Sequence, residues 1–462
     1  MKRQPTNPQA AHPSPIQRPI KQDKNVRLVR DTAGYARHRL RVGPWKKVVL
    51  VTLLCAPGAL GQGVVRDSIS AIPSGRGGTN IAHHDNLTLI LDNPAGLVNL
   101  KESQRFDWSL DILLTDLDYR DPLNDANGKV TPFPIPSFAY ARKSEDKRWA
   151  YGFGFFAPAG FGAKYKLNHF LYGKRNYRSL GALIKILPAL SYKVNDRLSL
   201  GATFGLAISH AKLKMPFAKQ TGFLAGLPGI LDLKATGLAP TWSLGMQYEL
   251  SKDTTLGLSF ISETRFHLKG PTTFDVSGFG LPLLRSSYDA KVDLVWPRSV
   301  GAGITHRIDK KQRISADLIW FDWSHAFDDL SLELTNGSNK LFDLILGPKV
   351  RDKFPLDWKD SIAIRAGYEY SPNDRETYRA GYIYHPNPIP NATLMPLLTG
   401  TLEHVISVGY GRKLSTWKMD LAYQFSWGPS NHVSSSNIVG GFNNSTVKAQ
   451  AHWFFMTFSR SF

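Results

Sequence analysis

The sequence predicts an all-β fold: a 14-stranded antiparallel transmembrane β-barrel with an N-terminal hatch, or plug, inside the lumen. Three observations predict it. Segments of roughly ten residues alternate between apolar and small or polar side chains. The breaks between these segments are alternately short and polar, then long. After an N-terminal export signal, no apolar run reaches the roughly 18 residues that a membrane-crossing helix needs.

Residues 1–61 read as a basic leader and signal peptide. Residues 1–47 hold 12 Lys/Arg against 2 Asp/Glu, half of the formal +20 of the 462-residue chain. The remaining 45 basic and 35 acidic residues make a mixed surface, which gives no reason to expect a nucleic-acid partner. Val48 to Leu60 is uncharged and carries Pro57-Gly58, as in a signal-peptide apolar core, and Ala59-Leu60-Gly61 supplies small residues for cleavage after Gly61. The single cysteine, Cys55, lies inside this signal, so disulfide frameworks, Cys-rich zinc sites and iron–sulfur clusters are excluded.

The strands follow from period-two alternation. Leu198, Leu200, Ala202, Phe204, Leu206 and Ile208 alternate with Ser199, Gly201, Thr203, Gly205, Ala207 and Ser209. Trp417 to Trp427 and Ser361 to Tyr370 repeat the pattern. Successive strand side chains point to opposite faces, so each segment has one apolar and one polar wall. A soluble sandwich shows the same alternation. Two features favour the barrel: aromatic residues at strand ends, such as Trp320, Tyr368, Tyr370, Tyr410, Trp417 and Trp427, and a last strand carrying Phe454, Met456, Phe458 and a terminal Phe462.

Six short breaks fit periplasmic turns: Ser144 to Lys147, Asn195-Asp196, Ser251 to Asp253, Asp309 to Lys311, Ser371 to Asp374, and Ser415-Thr416. Seven longer connections, near 120–134, 162–179, 213–237, 268–288, 326–358, 385–401 and 428–443, fit extracellular loops. Together they join 14 strands over residues 105–462. Residues 62–104 precede the first strand. A barrel of this size leaks unless its lumen is filled, which makes that segment the hatch. Its Ser74-Gly75-Arg76-Gly77-Gly78 run lacks the Lys-Ser/Thr and strand–helix frame of a phosphate loop.

After the Gly-rich start comes Asn93-Pro94-Ala95-Gly96, and then a strand-rich chain ending in Phe. This combination resembles the FadL/TodX family of outer-membrane transporters for hydrophobic compounds, over essentially all of residues 70–462. Ser199 to Phe217, Leu256 to Gly270 and Lys359 to Pro390 resemble family segments in order and spacing, and Asn93, Pro94 and Ala95 match the hatch motif. The resemblance implies a bacterial outer-membrane barrel carrying long-chain fatty acids or monoaromatic hydrocarbons inward. Phe155 to Gly162, with Pro158 and Gly160, is similar to the family's kinked third strand, where the wall opens sideways into the outer leaflet. Fatty-acid members hold the head group with basic lumen residues. Lys212 and Lys214 lie near one such position, and Asp328 and Asp329 replace a second. Arg365 and Lys185 are further lumen-facing basic candidates.

Physical chemistry says why such a device is needed. Each buried methylene is worth about 0.8 kcal/mol, so a 16-carbon tail resists water by roughly 12 kcal/mol. A greasy extracellular surface is expected at Met215-Pro216-Phe217 with Phe223, Leu224, Leu227, Ile230 and Leu231, faced by Phe279, Leu281, Leu283 and Leu284 in the next loop. The expected partners are hydrophobic small molecules, outer-membrane lipid and the barrel assembly machinery, with a monomeric chain. No cofactor is expected, and His83-His84-Asp85 lacks the further ligands of a metal site. An outer-membrane esterase is the reading from another class, but Ser209-His210 and Ser324-His325 are adjacent residues that a strand points to opposite faces. A diffusion porin is the third reading, opposed by a closed lumen.

Overall fold

The computed structural model describes residues 63–462 apart from 223, 281–283 and 440. The leader and signal assignments, and the candidates Phe223 and Leu281, lie outside the described residues. The barrel strands are β1 (Gln104–Asp121), β2 (Phe133–Lys143), β3 (Trp149–His169), β4 (Gly173–Lys193), β5 (Leu198–Ala218) and β6 (Pro228–Ser251). Next come β7 (Thr254–Ile261, continued by Thr264–Asp275), β8 (Arg285–Trp296, continued by Ser299–Arg307), β9 (Gln312–Phe321) and β10 (Ser361–Tyr370). The last four are β11 (Glu376–Tyr384), β12 (His404–Lys413), β13 (Trp417–Trp427) and β14 (Ser445–Ser461). Neighbours pair antiparallel, and β14 returns to β1 from Arg105↔Ser461 to Arg120↔Thr446, closing a 14-stranded cylinder with all six short turns at the expected breaks.

Burial is inverted relative to a soluble sandwich. On β5, Phe204 is 70% and Leu206 54% exposed, while Thr203 and Ser209 are buried. Asp420, Gln424 and Ser426 on β13 and Arg365 and Glu369 on β10 are likewise buried, beneath exposed Leu421 and Tyr368. An outer face this apolar is stable only in lipid.

Farther from the turns the pattern changes sign. Tyr165 and Leu167 on β3, Leu231, Leu233 and Ala235 on β6, and Tyr288, Ala290 and Val292 on β8 are buried. Their outward neighbours are charged: Lys164, Lys166, Lys234 and Asp289. β3, β4 and β5 each run 21 residues, about twice the membrane-crossing length. They leave the lipid and continue as a sheet that is charged outside and apolar inside. This corrects the expected loops at 162–179, 213–237 and 268–288, which shrink to short connections because alternation persists with its polarity reversed. The expected 326–358 loop also contains a hairpin, Asp329–Thr335 with Lys349–Pro355, that pairs onto β8 at Asp289 to Asp293.

The hatch occupies the lumen near the turn end. It holds a short helix Ala71–Gly75, a helical turn Leu89–Asp92 and a 3-10 segment Pro94–Asn99. Ile69, Leu87, Leu89, Ile90, Leu97 and Val98 pack with Ala139, Ala141, Ala150, Phe156 and Leu187 of the wall. Wall glycines admit the hatch backbone: a Cβ at Gly201 would strike Ala95, and one at Gly381 would strike Gly77.

Candidate functional site: plug, chamber and open wall

The hatch is held by buried charge. Arg76 donates to Asp85 at 2.8 and 3.0 Å and to Glu369 of β10 at 3.3 Å. Glu369 also accepts from Arg379 of β11 at 2.8 Å and pairs with Arg313 of β9, which reaches Asp85 as well. Arg379 continues the chain to Asp420 at 2.8 Å. Burial works to raise the Asp85 carboxyl, but the Arg76 and Arg313 guanidinium groups hold it well below the usual carboxylate range. Asn80 and Ile81 donate backbone N–H groups to Asp317 of β9, at 2.7 and 3.2 Å. The motif residue Asn93 caps the 3-10 segment through Ala95 N–H (3.2 Å) and donates to Ile81 and Met246 carbonyls at 2.7 and 3.1 Å, tying the hatch to β6.

Beyond the hatch lies an apolar chamber of about 110 Å³, bounded by Met215, Phe217, Leu231, Phe327, Phe354 and Leu397 among others. The 329–355 hairpin roofs it, with the Phe217 and Phe354 rings 5.8 Å apart. Trp296 forms its floor, held by Nε1–H donating to Ser209 Oγ at 3.2 Å. On the other side of the indole is a smaller cavity of about 90 Å³ between hatch and wall, reached by Pro158, Ala159, Lys185, Arg365 and Asp317.

The wall beside that cavity is incomplete. β2 pairs with β3 only from Lys143↔Ala150 to Phe138↔Phe155, although β2 stays paired with β1 out to Phe133. Contact resumes where Lys129 N–H donates to the Lys164 carbonyl at 2.7 Å. The sequence itself removes the missing ladder. Lys143 N–H donates to Ser103 and Ser144 N–H to Trp149, so even-numbered residues of β2 present their backbone groups to β3. Pro132, Pro134 and Pro136 fall on that parity and have no N–H to give. On β3 the register with β4 slips between Phe156 and Ala159, where Pro158 likewise lacks a donor. The vacated β3 edge is taken by the start of the described hatch: Arg66 N–H donates to the Pro158 carbonyl at 2.9 Å and Gly160 N–H to Val64 at 3.0 Å.

The predicted site residues distribute as follows. Asn93, Pro94 and Ala95 sit at the hatch–wall contact; Pro158 and Gly160 flank the incomplete wall. Phe217, Ile230 and Leu231 were expected in an exposed loop. They are instead buried on paired strands, Phe217 and Leu231 lining the chamber, because the sheet extends past the membrane. Leu224 and Leu227 are half-buried in the short connection, and Phe279 is exposed at a turn. Lys212 and Lys214 share the backbone parity of Phe204 and Leu206; Lys214 pairs with Asp232 at 3.4 Å, and Lys212, half-buried, is among the residues lining the chamber. Arg365 faces the lumen and donates to Gly78 of the hatch at 3.0 Å. Sequence reasoning missed Trp296, Phe327 and the proline triplet; spacing of two at Pro132, Pro134 and Pro136 was the available signal.

His83, Asp85 and Glu369 bring possible ligand atoms within 4.8 Å of one another. Their carboxylates already serve Arg76, Arg313 and Arg379, whose charges stand where a cation would, so no metal is assigned. Ser209 accepts from Trp296 while His210 bonds Thr236, on opposite faces of β5.

Fold and site define a class: an outer-membrane β-barrel, stoppered by its own N-terminal segment, with an apolar chamber and a side gap. The chain belongs to the family described as outer membrane protein transport protein (OMPP1/FadL/TodX), whose model matches residues 53–462. It is 24% identical over 223 residues to a long-chain fatty acid transport protein of Salmonella typhi. That match covers 43% of this chain and 48% of the relative, so the chain spans about half the length of this curated protein. Among solved structures it is similar to a Pseudomonas aeruginosa FadL homologue (TM-score 0.73, 18% identity, 87% of this chain and 100% of that one). It is also similar to the Pseudomonas putida toluene transporter TodX (TM-score 0.72, 20% identity, 87% and 100%).

Proposed function

We propose that this protein carries hydrophobic compounds, foremost long-chain fatty acids, from outside the cell into the outer membrane. Cargo leaves water at the extracellular loops, enters the apolar chamber under the 329–355 hairpin, passes Trp296, and leaves through the gap between β2 and β3 when the hatch segment Val64 to Arg66 vacates the β3 edge. The observation that carries this reading is the proline-specified gap placed beside an internal cavity. A closed lumen filled by hatch side chains gives a long tail no aqueous route, whereas a side gap keeps it in apolar surroundings throughout. The test is Gly160→Arg, which sets a charged side chain on the exposed face of β3 beside the gap, next to the Gly181 carbonyl of β4. Uptake of labelled oleate by an uptake-deficient host is expected to fall at least tenfold, with heat-modifiable migration of the barrel retained. Undiminished uptake refutes the sideways route. Neutral aromatic hydrocarbons are the second reading, favoured by the almost wholly apolar chamber lining.

A further inference from the structure

The chamber does not distinguish an acid from a hydrocarbon, but the cavity below it contains a group that does. Lys185 projects inward from β4 between Leu183 and Leu187, is 5% exposed, and lines the cavity beside Pro158 and Ala159. Among the described residues it has no hydrogen bond and no ion pair. Every other charged group in this cavity is engaged. Arg66 pairs with Asp111 at 2.5 Å and Asp67 with His385 at 2.9 Å. Asp92 accepts from Asn80 Nδ2 at 2.6 Å, and Asp317 accepts from the Asn80 and Ile81 backbones. Arg365 donates to Gly78. The three carboxylates belong to the hatch and to β9, and each is already engaged there. Lys185 is thus a solitary ammonium that a wholly structural lumen gains nothing by burying. The cavity's roughly 90 Å³ exceeds the ~10–15 Å³ a water molecule requires by this measure, so there is room beside the ammonium for water or for a ligand head group.

We propose that Lys185 is a carboxylate station at the threshold of the wall gap, and hence that the cargo it serves is an ionised fatty acid. Three placements support this. Lys185 stands opposite Phe156 in the β3–β4 register, one residue before the slip that opens the wall. Trp296 lines both the cavity and the chamber, so a head group at Lys185 can leave its tail in the apolar chamber. And of the two basic residues farther along β5, Lys214 is already paired with Asp232 and Lys212 is only half-buried, whereas Lys185 is 5% exposed. A charge-assisted bond to a carboxylate satisfies the ammonium and holds the head group while the tail crosses the gap.

This inference rests on the transport reading above, and the experiment separates their failures. Binding of oleate and of its neutral methyl ester to the purified barrel is compared by titration at pH 8. The unaltered protein is expected to bind oleate at least tenfold more tightly than the ester. Lys185→Met is expected to remove that preference while leaving ester binding in place, and Lys185→Arg to keep it. A preference that survives Lys185→Met, or is absent in the unaltered protein, overturns the proposal without touching the transport reading; binding of neither ligand to the unaltered protein overturns both. As a measurement free of folding effects, an oleoyl N-hydroxysuccinimide ester added to the unaltered protein should form an amide at Lys185 Nζ, with release of N-hydroxysuccinimide. Excess oleate should prevent this, and peptide mass spectrometry locates the adduct. Adducts at other lysines only would overturn the proposal.

Discussion

Replacing Glu369 by Gln probes how the plug is held. Glu369 is the acid that Arg76, Arg313 and Arg379 share, so its loss leaves two buried guanidinium groups, Arg76 and Arg379, and the half-buried Arg313 facing one another with Asp85 and Asp420 between them. Breaking a buried network by removing one partner costs about 3–5 kcal/mol. Arg313 and Arg379 lie on the wall and regain water when the hatch leaves, so that cost falls mainly on the docked state. The ratio of docked to undocked hatch should then fall by roughly two to three and a half powers of ten. Amide hydrogen exchange reads the ratio directly. Ala71, Gly77 and Asn80 donate backbone N–H groups to Thr457, Ser407 and Asp317 at 2.8, 3.0 and 2.7 Å, and their exchange should accelerate by that factor. Strand amides of β12 and β14, paired within the sheet, should not change. Unaltered hatch protection, or equal acceleration in hatch and strands, would show that the network does not anchor the plug.

Acid should release the same element. Burial, reinforced by Arg313, pushes His84 down to about 4, and burial with Arg76 holds His83 well below its ordinary 6.5. Both dock neutral, so docking is at full strength above about pH 6.5 and is lost as pH falls toward 4. Asp92, raised by burial to about 6, works in the opposite sense: its contribution is full below 3.8 and is lost as pH rises to 6. Two imidazoles outweigh one carboxyl, so hatch exchange corrected for its intrinsic rate should quicken between pH 7 and 4.5; a flat profile would contradict this. Trp296→Ala merges chamber and cavity at a stability cost of about 3–5 kcal/mol. It should broaden the range of acid chain lengths bound, and an unchanged length profile in a binding series would remove Trp296 from the path.

Much of the barrel was legible because a lipid-facing strand announces itself. Leu200, Phe204 and Leu206 on one parity and Ser199, Thr203 and Ser209 on the other leave a single way to lie in a membrane, and polar breaks such as Asn195-Asp196 mark its turns. The extracellular half was misjudged for the same reason. Ala163-Lys164-Tyr165-Lys166-Leu167 alternates as regularly, but with charge outside, and a search for greasy outer faces passes over it. That inversion moved Phe217 and Leu231 from a supposed exposed patch to the chamber wall.

The linear order of residues determined the strand count, the turn end, the plug segment and, through Pro132, Pro134 and Pro136, the edge on which the wall stays unpaired. The first three are carried by alternation and polar breaks that are read segment by segment; the prolines fix the unpaired edge only once the structure shows which parity faces β3. Tertiary structure alone decided which charges meet. Arg76, Arg313, Glu369 and Arg379 come from four separate segments, and Lys185 has no partner among the described residues because the acids lining its cavity are claimed by other groups. Coulomb energy and desolvation depend on distances across the lumen, which barrel closure fixes and no local pattern contains.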